Sequence, residues 1–155
     1  MPSSVKSRVP SSLPVAFWDA SALVPLCCWQ KQTQTARQAR RLFPQMVVWW
    51  ATRVECISAL RRLERAQALG SPEMQHALQE LARLQQRWTE IAPLAGICAT
   101  AERLLGQHSL RAADALQLAA ALAWCNAYPQ GKTFVCSDDR LLDAAANEGF
   151  TVIRL

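Results

Sequence analysis

Histidine, acid and long apolar runs are what this chain of 155 residues has least of. Its two histidines, His76 and His108, stand apart from every serine and cysteine motif, which leaves Ser/His or Cys/His covalent catalysis without its parts. The six cysteines (Cys27, Cys28, Cys56, Cys98, Cys125 and Cys136) form no CxxC and no Cys/His ligand spacing. They read as free thiols, mostly in apolar surroundings, in a reducing compartment rather than as zinc ligands or disulfides. No apolar run approaches the roughly 18 residues of a membrane span, because Pro, Gln and Arg interrupt each one. MPSSVKSRVPSSLP at the N-terminus lacks the apolar segment of a signal peptide. These features make a cytoplasmic protein the expectation, with residues 1–14 as a disordered Pro/Ser-rich extension and residues 15–155 as one domain.

Acids number 12 against 17 basic residues, a net charge of +5, and 14 of the basic residues are arginine. Arg37, Arg40 and Arg41 recur at helical spacing, as do Arg61, Arg62 and Arg65. Such runs are ordinarily solvated helix faces, although arginine pairs bidentately with phosphate and would suit a polyanion. Charge alone permits a nucleic-acid partner without pointing to one.

What the chain does have is short apolar runs alternating with helical patterns. VAFWD (15–19), MVVWW (46–50), TEIAPL (89–94), TFVCS (133–137) and TVIRL (151–155) read as five buried strands. Between them the periodicity predicts helices from Asp19 or Ser21, over 32–43, over 52–69 and over 71–88, the last with Ser71 as N-cap and Pro72 at its first position. Further helices are expected over 95–106, from Leu110 through the apolar stretch to Cys125, and over 138–147. Strands alternating with helices predict an α/β fold of three α/β/α layers around a parallel sheet of about five strands.

Within that frame a few acids fall in apolar sequence. Asp114 sits in LRAADALQLAAAL, where only Asp114 and Gln117 are clearly polar, and a carboxylate in such a helix needs a cation or a proton. Asp19 and Asp138 each follow the carboxyl end of a predicted strand, the edge where open α/β sheets bind ligands. Glu55 begins the helix after the second strand. Each has a purely structural alternative. Asp19 can be an N-cap, Glu55 can complete a capping box with Thr52, and Asp138 and Asp139 can complement a helix dipole. Asp114 can pair with Arg111. If the first and fourth strands are neighbours, however, all four acids converge on one edge. Crowded carboxylates repel, and an oxygen-rich site of that kind suits Mg²⁺ or Mn²⁺ and phosphoryl chemistry.

FWDASALVPL, TRVECISAL, LRAADALQLAAAL and FVCSDDRLLDAAANEGFTVI together resemble, in order, the motifs of the PIN-domain ribonucleases, and among them the VapC-type toxins of toxin–antitoxin pairs. The likeness covers about residues 15–155. It implies a Mg²⁺- or Mn²⁺-dependent endoribonuclease whose metal is held by Asp19, Glu55, Asp114 and Asp138, the last preferred to Asp139 because it stands two residues before Arg140. It also implies a homodimer, a small antitoxin that blocks the groove, and RNA as substrate. Arg37, Arg40, Arg41, Arg53 and Arg111 are the candidate RNA contacts. Two positions depart from the family pattern: Cys136 stands where a threonine is frequent, and Trp49-Trp50 is bulky beside the expected site entrance. A phosphatase of the haloacid-dehalogenase type is disfavoured, since Ser21 occupies the place of its second acid. A non-catalytic RNA- or partner-binding module is the remaining alternative.

Overall fold

The computed structural model describes residues 13–155. The expected extension over 1–14 lies outside them except for Leu13 and Pro14, and the Pro14 carbonyl accepts a hydrogen bond from the Gln45 amide at 3.3 Å. The elements, in chain order, are β1 (Val15–Trp18), α1 (Ala20–Cys27), α2 (Thr33–Leu42), β2 (Gln45–Trp49), α3 (Thr52–Arg65) and α4 (Ser71–Gln85). They continue with β3 (Trp88–Ile91), α5 (Ile97–Gln107), α6 (Ala112–Trp124), β4 (Thr133–Cys136), α7 (Asp139–Glu148) and β5 (Thr151–Arg154).

The five strands form one sheet in the order β3-β2-β1-β4-β5, and all four pairings are parallel. Successive side chains of a strand point to opposite faces, and here both faces are covered, which is why the inner strands β1, β2 and β4 are almost wholly apolar. Phe17, Val47, Trp49, Phe134 and Cys136 face a core built with α5, α6 and α7. Ala16, Trp18, Met46, Val48 and Val135 face the opposite core, built with α1 to α4. The fold is therefore a three-layer α/β/α sandwich. Among the described residues no helix is long and apolar enough to cross a membrane.

Several boundaries differ from the sequence expectation for identifiable reasons. The helix expected to reach Leu69 ends at Arg65, because Gln67 adopts a left-handed φ of 59° that breaks the ladder. Gly70, not Ser71, is the N-cap of α4, with Ser71 already inside the first turn beside Pro72. That helix also ends earlier than expected, at Gln85. Trp88 instead opens β3, where it pairs with Met46 and buries its ring in the first-four-helix core.

From β1 the chain steps outward to β2 and β3, then returns past β1 to β4 and β5. β1 and β4 are thus hydrogen-bonded neighbours whose connections depart in opposite directions, leaving a crevice at their carboxyl ends.

Candidate functional site

Asp19 and Asp138 flank that crevice as helix N-caps. The Asp19 Oδ2 accepts the Ser21 amide at 3.0 Å, and the Asp138 Oδ1 accepts the Leu141 amide at 2.9 Å. The capping alternatives are therefore real, yet a cap engages one carboxylate oxygen and leaves the second for a ligand. The two corners are stitched together. Asp19 donates its amide to the Val135 carbonyl at 3.0 Å, the Ser137 amide donates to Ser21 Oγ at 3.0 Å, and Ser137 Oγ donates to the Ser21 carbonyl at 3.0 Å.

Cys136 stands in the middle of this seam, fully buried. Its Sγ lies 3.4 Å from Ser21 Oγ, accepts the Asp138 amide at 3.1 Å and donates toward Asp19 Oδ2 at 3.6 Å. The thiol thus touches the carboxylate of Asp19 and the backbone of Asp138. Burial, and then the charge of Asp19, push the thiol well above its usual range, so it stays neutral and able to donate.

Glu55 reaches the same place from α3. The capping box with Thr52 does not form: Ala51 occupies the N-cap in helical conformation, and no side chain caps the helix. Thr52 and Glu55 instead share a partner that the sequence had shown only as a polar residue in α6. The Nε2 of Gln117 donates to Thr52 Oγ1 at 3.2 Å and to Glu55 Oε2 at 3.1 Å. Gln117 is completely buried, and its Oε1 has no partner. The carboxylate, which can only accept when ionised, fixes which end of the amide faces it.

Asp114 is less deep than its sequence surroundings predicted. The first turn of α6 emerges at the sheet edge, so Ala112 and Ala113 are exposed and Asp114 is half-buried. No ion pair joins it to Arg111 among the described residues, which removes the lone salt bridge as its explanation. Asp138 is exposed, and Asp139 points away to an ion pair with Arg154.

Asp19, Glu55, Asp114 and Asp138 all line one open cleft of about 490 Å³, together with Ser21, Ser137, Arg62 and Arg111. Glu55 and Asp114 respond to the charges of the other acids. Asp19 is raised above its usual value mainly by burial, against hydrogen bonds from Ser21 and Cys136. Burial raises Glu55 to about 7, opposed by the Gln117 hydrogen bond and reinforced by the charges of Asp19 and Asp114. Asp114 is raised by burial and then by Asp19 and Asp138, with Arg111 opposing. Among the described residues, no group of three or more His, Cys, Asp or Glu side chains is set closely enough to hold a metal ion as it stands. The acids share a cleft and a field without closing into a coordination shell.

Of the arginines expected to meet RNA, only Arg111 lines this cleft. Arg53 donates to Gln85 Oε1 at 2.8 Å, and Arg37, Arg40 and Arg41 line a separate depression beside Glu80. The Trp49-Trp50 pair does not obstruct the entrance, since Trp49 is in the core and neither ring lines the cleft. Ser21, Gln117 and Arg62 belong to the site or support it, although the sequence assigned them no role there. Gln117 carried the one available signal, an amide in an otherwise apolar helix.

Neither a family model nor a curated protein matches the chain. Among solved structures the fold is similar to the crystal structure of PAE2754 from Pyrobaculum aerophilum, with a TM-score of 0.58 at 20% identity over 90% of each chain. At that identity the likeness establishes a shared fold.

Proposed function

We propose that this chain is a divalent-cation-dependent endoribonuclease whose Mg²⁺ or Mn²⁺ is held by Asp19, Glu55, Asp114 and Asp138. The observation that carries the reading is the gathering of four acids on one cleft at the sheet's switch point, where burial raises Asp19, Glu55 and Asp114 and the charges of neighbouring acids add to it at Glu55 and Asp114. Such a set is relieved by a proton or by a hard cation, and an all-oxygen donor set fits Mg²⁺ or Mn²⁺. When bound, the ion would supply Lewis-acid polarisation of a phosphodiester and neutralise charge building on it. Asp19, fixed by its cap and by Cys136, is the anchored donor. Gln117 holds the Glu55 carboxylate from behind. Asp114 and Asp138, nearer solvent, would be the remaining donors.

RNA as substrate, the role of toxin, a blocking antitoxin and a homodimer rest on the sequence resemblance to PIN-domain ribonucleases. A cytoplasmic setting is supported by six free cysteines. A module that binds RNA or a partner without cutting is the second reading, favoured by the absence of a closed ligand group among the described residues. Incubating total RNA with the protein in Mg²⁺, Mn²⁺ or EDTA decides between them. The proposal expects cleavage only with metal, abolished by Asp114→Asn at unchanged circular dichroism; cleavage that persists in the Asn variant would sink it.

A further inference from the structure

Away from the acid cleft, arginines gather on α2 and α4. Thr33, Ala36 and Ala39 turn one face of α2 into the core, which leaves Arg37 and Arg41 exposed on the other side and Arg40 half-buried between them and α4. From α4 come Glu80 and Arg83, and from the turn after it Arg87. Two clefts, of about 230 and 380 Å³, share Arg40 and Glu80, so the five arginines that line them form one surface. α2 ends at Leu42, just before β2, and α4 ends at Gln85, just before β3. The surface therefore lies toward the amino ends of the strands, at the edge opposite the acids. β2 alone has five residues, which at about 3.3 Å each separate the two edges by roughly 17 Å.

No structural task accounts for so much charge. Basic residues in the last turn of a helix complement its dipole, but each C-terminal end carries only about half a negative charge. Glu80 adds one more, in an ion pair with Arg83. Of the five positive charges about three are left over. Among the described residues Arg37, Arg40, Arg41 and Arg87 are in no ion pair. The rest of the lining is Leu26, Leu84 and Gln86, with no aromatic side chain. It thus lacks the aromatic anchor typical of a tight protein interface and the stacking platform that holds unpaired bases. Guanidinium groups without either suit a regular row of phosphates, with which they pair bidentately. We infer that this surface binds the phosphate backbone of a double-helical RNA segment, apart from the acid cleft and without reading its sequence. The choice of RNA over DNA rests on the nuclease reading; the phosphate contact does not. With the width of the sheet between them, the stem held here is not the stretch of RNA that reaches the acids.

A short fluorescein-labelled RNA duplex, titrated with the full chain in EDTA at several salt concentrations and read by anisotropy, tests this. Arg40→Gln, Arg41→Gln and Arg87→Gln are each expected to weaken binding about threefold or more and to reduce the slope of log affinity against log salt by about 0.9. Glu80→Gln removes the one acid among the lining residues and releases Arg83, so it is expected to tighten binding, a gain that misfolding cannot produce. Arg103→Gln, on α5 and paired with Glu148, is expected to leave affinity and slope unchanged. Failure of the wild-type protein to bind the duplex, arginine variants that bind as wild type does, or no gain in Glu80→Gln would each overturn the inference. So would a single strand of the same length bound as tightly, or displacement of the duplex by poly-glutamate at equal charge, which would make the partner an acidic polypeptide. Arginine-dependent duplex binding without cleavage of any RNA in Mg²⁺ would keep this surface and remove the nuclease. Metal-dependent cleavage of a structured RNA whose KM ignores these arginines would keep the nuclease and remove the surface.

Discussion

Replacing Gln117 with leucine separates what this side chain does for the fold from what it does for the site. The residue is fully buried, and its Nε2 serves Thr52 Oγ1 at 3.2 Å and Glu55 Oε2 at 3.1 Å while Oε1 has no partner. Leucine removes a neutral hydrogen bond worth about 1 kcal/mol and a charge-assisted one worth about 1.5–3 kcal/mol, and it strands the buried Thr52 hydroxyl. It also removes an orphaned buried acceptor, which is itself unfavourable by about 1–3 kcal/mol, and substitutes apolar volume of similar size in an apolar helix. The losses exceed the gain by about 1 kcal/mol at their midpoints, so urea unfolding in EDTA should move by no more than about 3 kcal/mol. The site should not be so tolerant. Without its donor, Glu55 is left to burial and to the repulsion of Asp19 and Asp114, which already raise it to about 7. Loss of a partner that orients a ligating group typically weakens metal affinity about 10–100-fold. The assay is the Mn²⁺ concentration that half-saturates the ligand-induced rise in melting temperature. A leucine variant with wild-type Mn²⁺ dependence, or one that simply fails to fold, would refute the reasoning.

Two further outcomes follow from the same geometry. Glu55 is raised from 4.5 to about 7, so the folded state binds its proton more tightly than the unfolded state; the resulting stability is present below pH 4.5 and is lost as pH rises to 7. Metal-free protein should therefore lose on the order of 1–2 kcal/mol across that window, after discounting for partial exposure, with Asp19 and Asp114 acting in the same direction. Glu148 is lowered by Arg103 and His108 against burial and acts oppositely, below that window; a urea-unfolding series in EDTA from pH 4.5 to 7.5 that shows stability rising would contradict the assignment. Cys136→Ala should cost about 1–2 kcal/mol, because it takes the acceptor from the Asp138 amide and a contact from Asp19 while leaving a small cavity, and Cys136→Ser should recover part of that loss. Equal melting of the Ala and Ser variants would mean that the thiol only fills space.

The layered fold was legible because both sheet faces are buried: strands such as MVVWW read as continuous apolar runs, and Gly149, left-handed at φ 111°, marks the end of α7 as a helix-stopping glycine should. Asp19 and Asp138 were legible from their place just past a strand. Their adjacency was not, since it depends on β1 and β4 being neighbours, a fact of topology that no local periodicity encodes. The depth of Asp114 was misjudged for a related reason. A composition window averages the whole of α6, but the sheet edge exposes only its first turn. Arg62 was hidden among arginines at helical spacing, because the same pattern that marks a solvated face also describes a stripe lining a groove. Gln117 was visible as an exception in apolar sequence, but its bond to Glu55 spans 62 positions.

The central claim is that four separated acids form one cation site, and titrating the metal-free full chain with Mn²⁺ at neutral pH, followed by calorimetry, tests it most directly. The account predicts saturable binding that weakens by at least tenfold in Asp19→Asn, the anchored donor, with circular dichroism unchanged. Absence of saturable binding, or equal affinity in the two proteins, would contradict it.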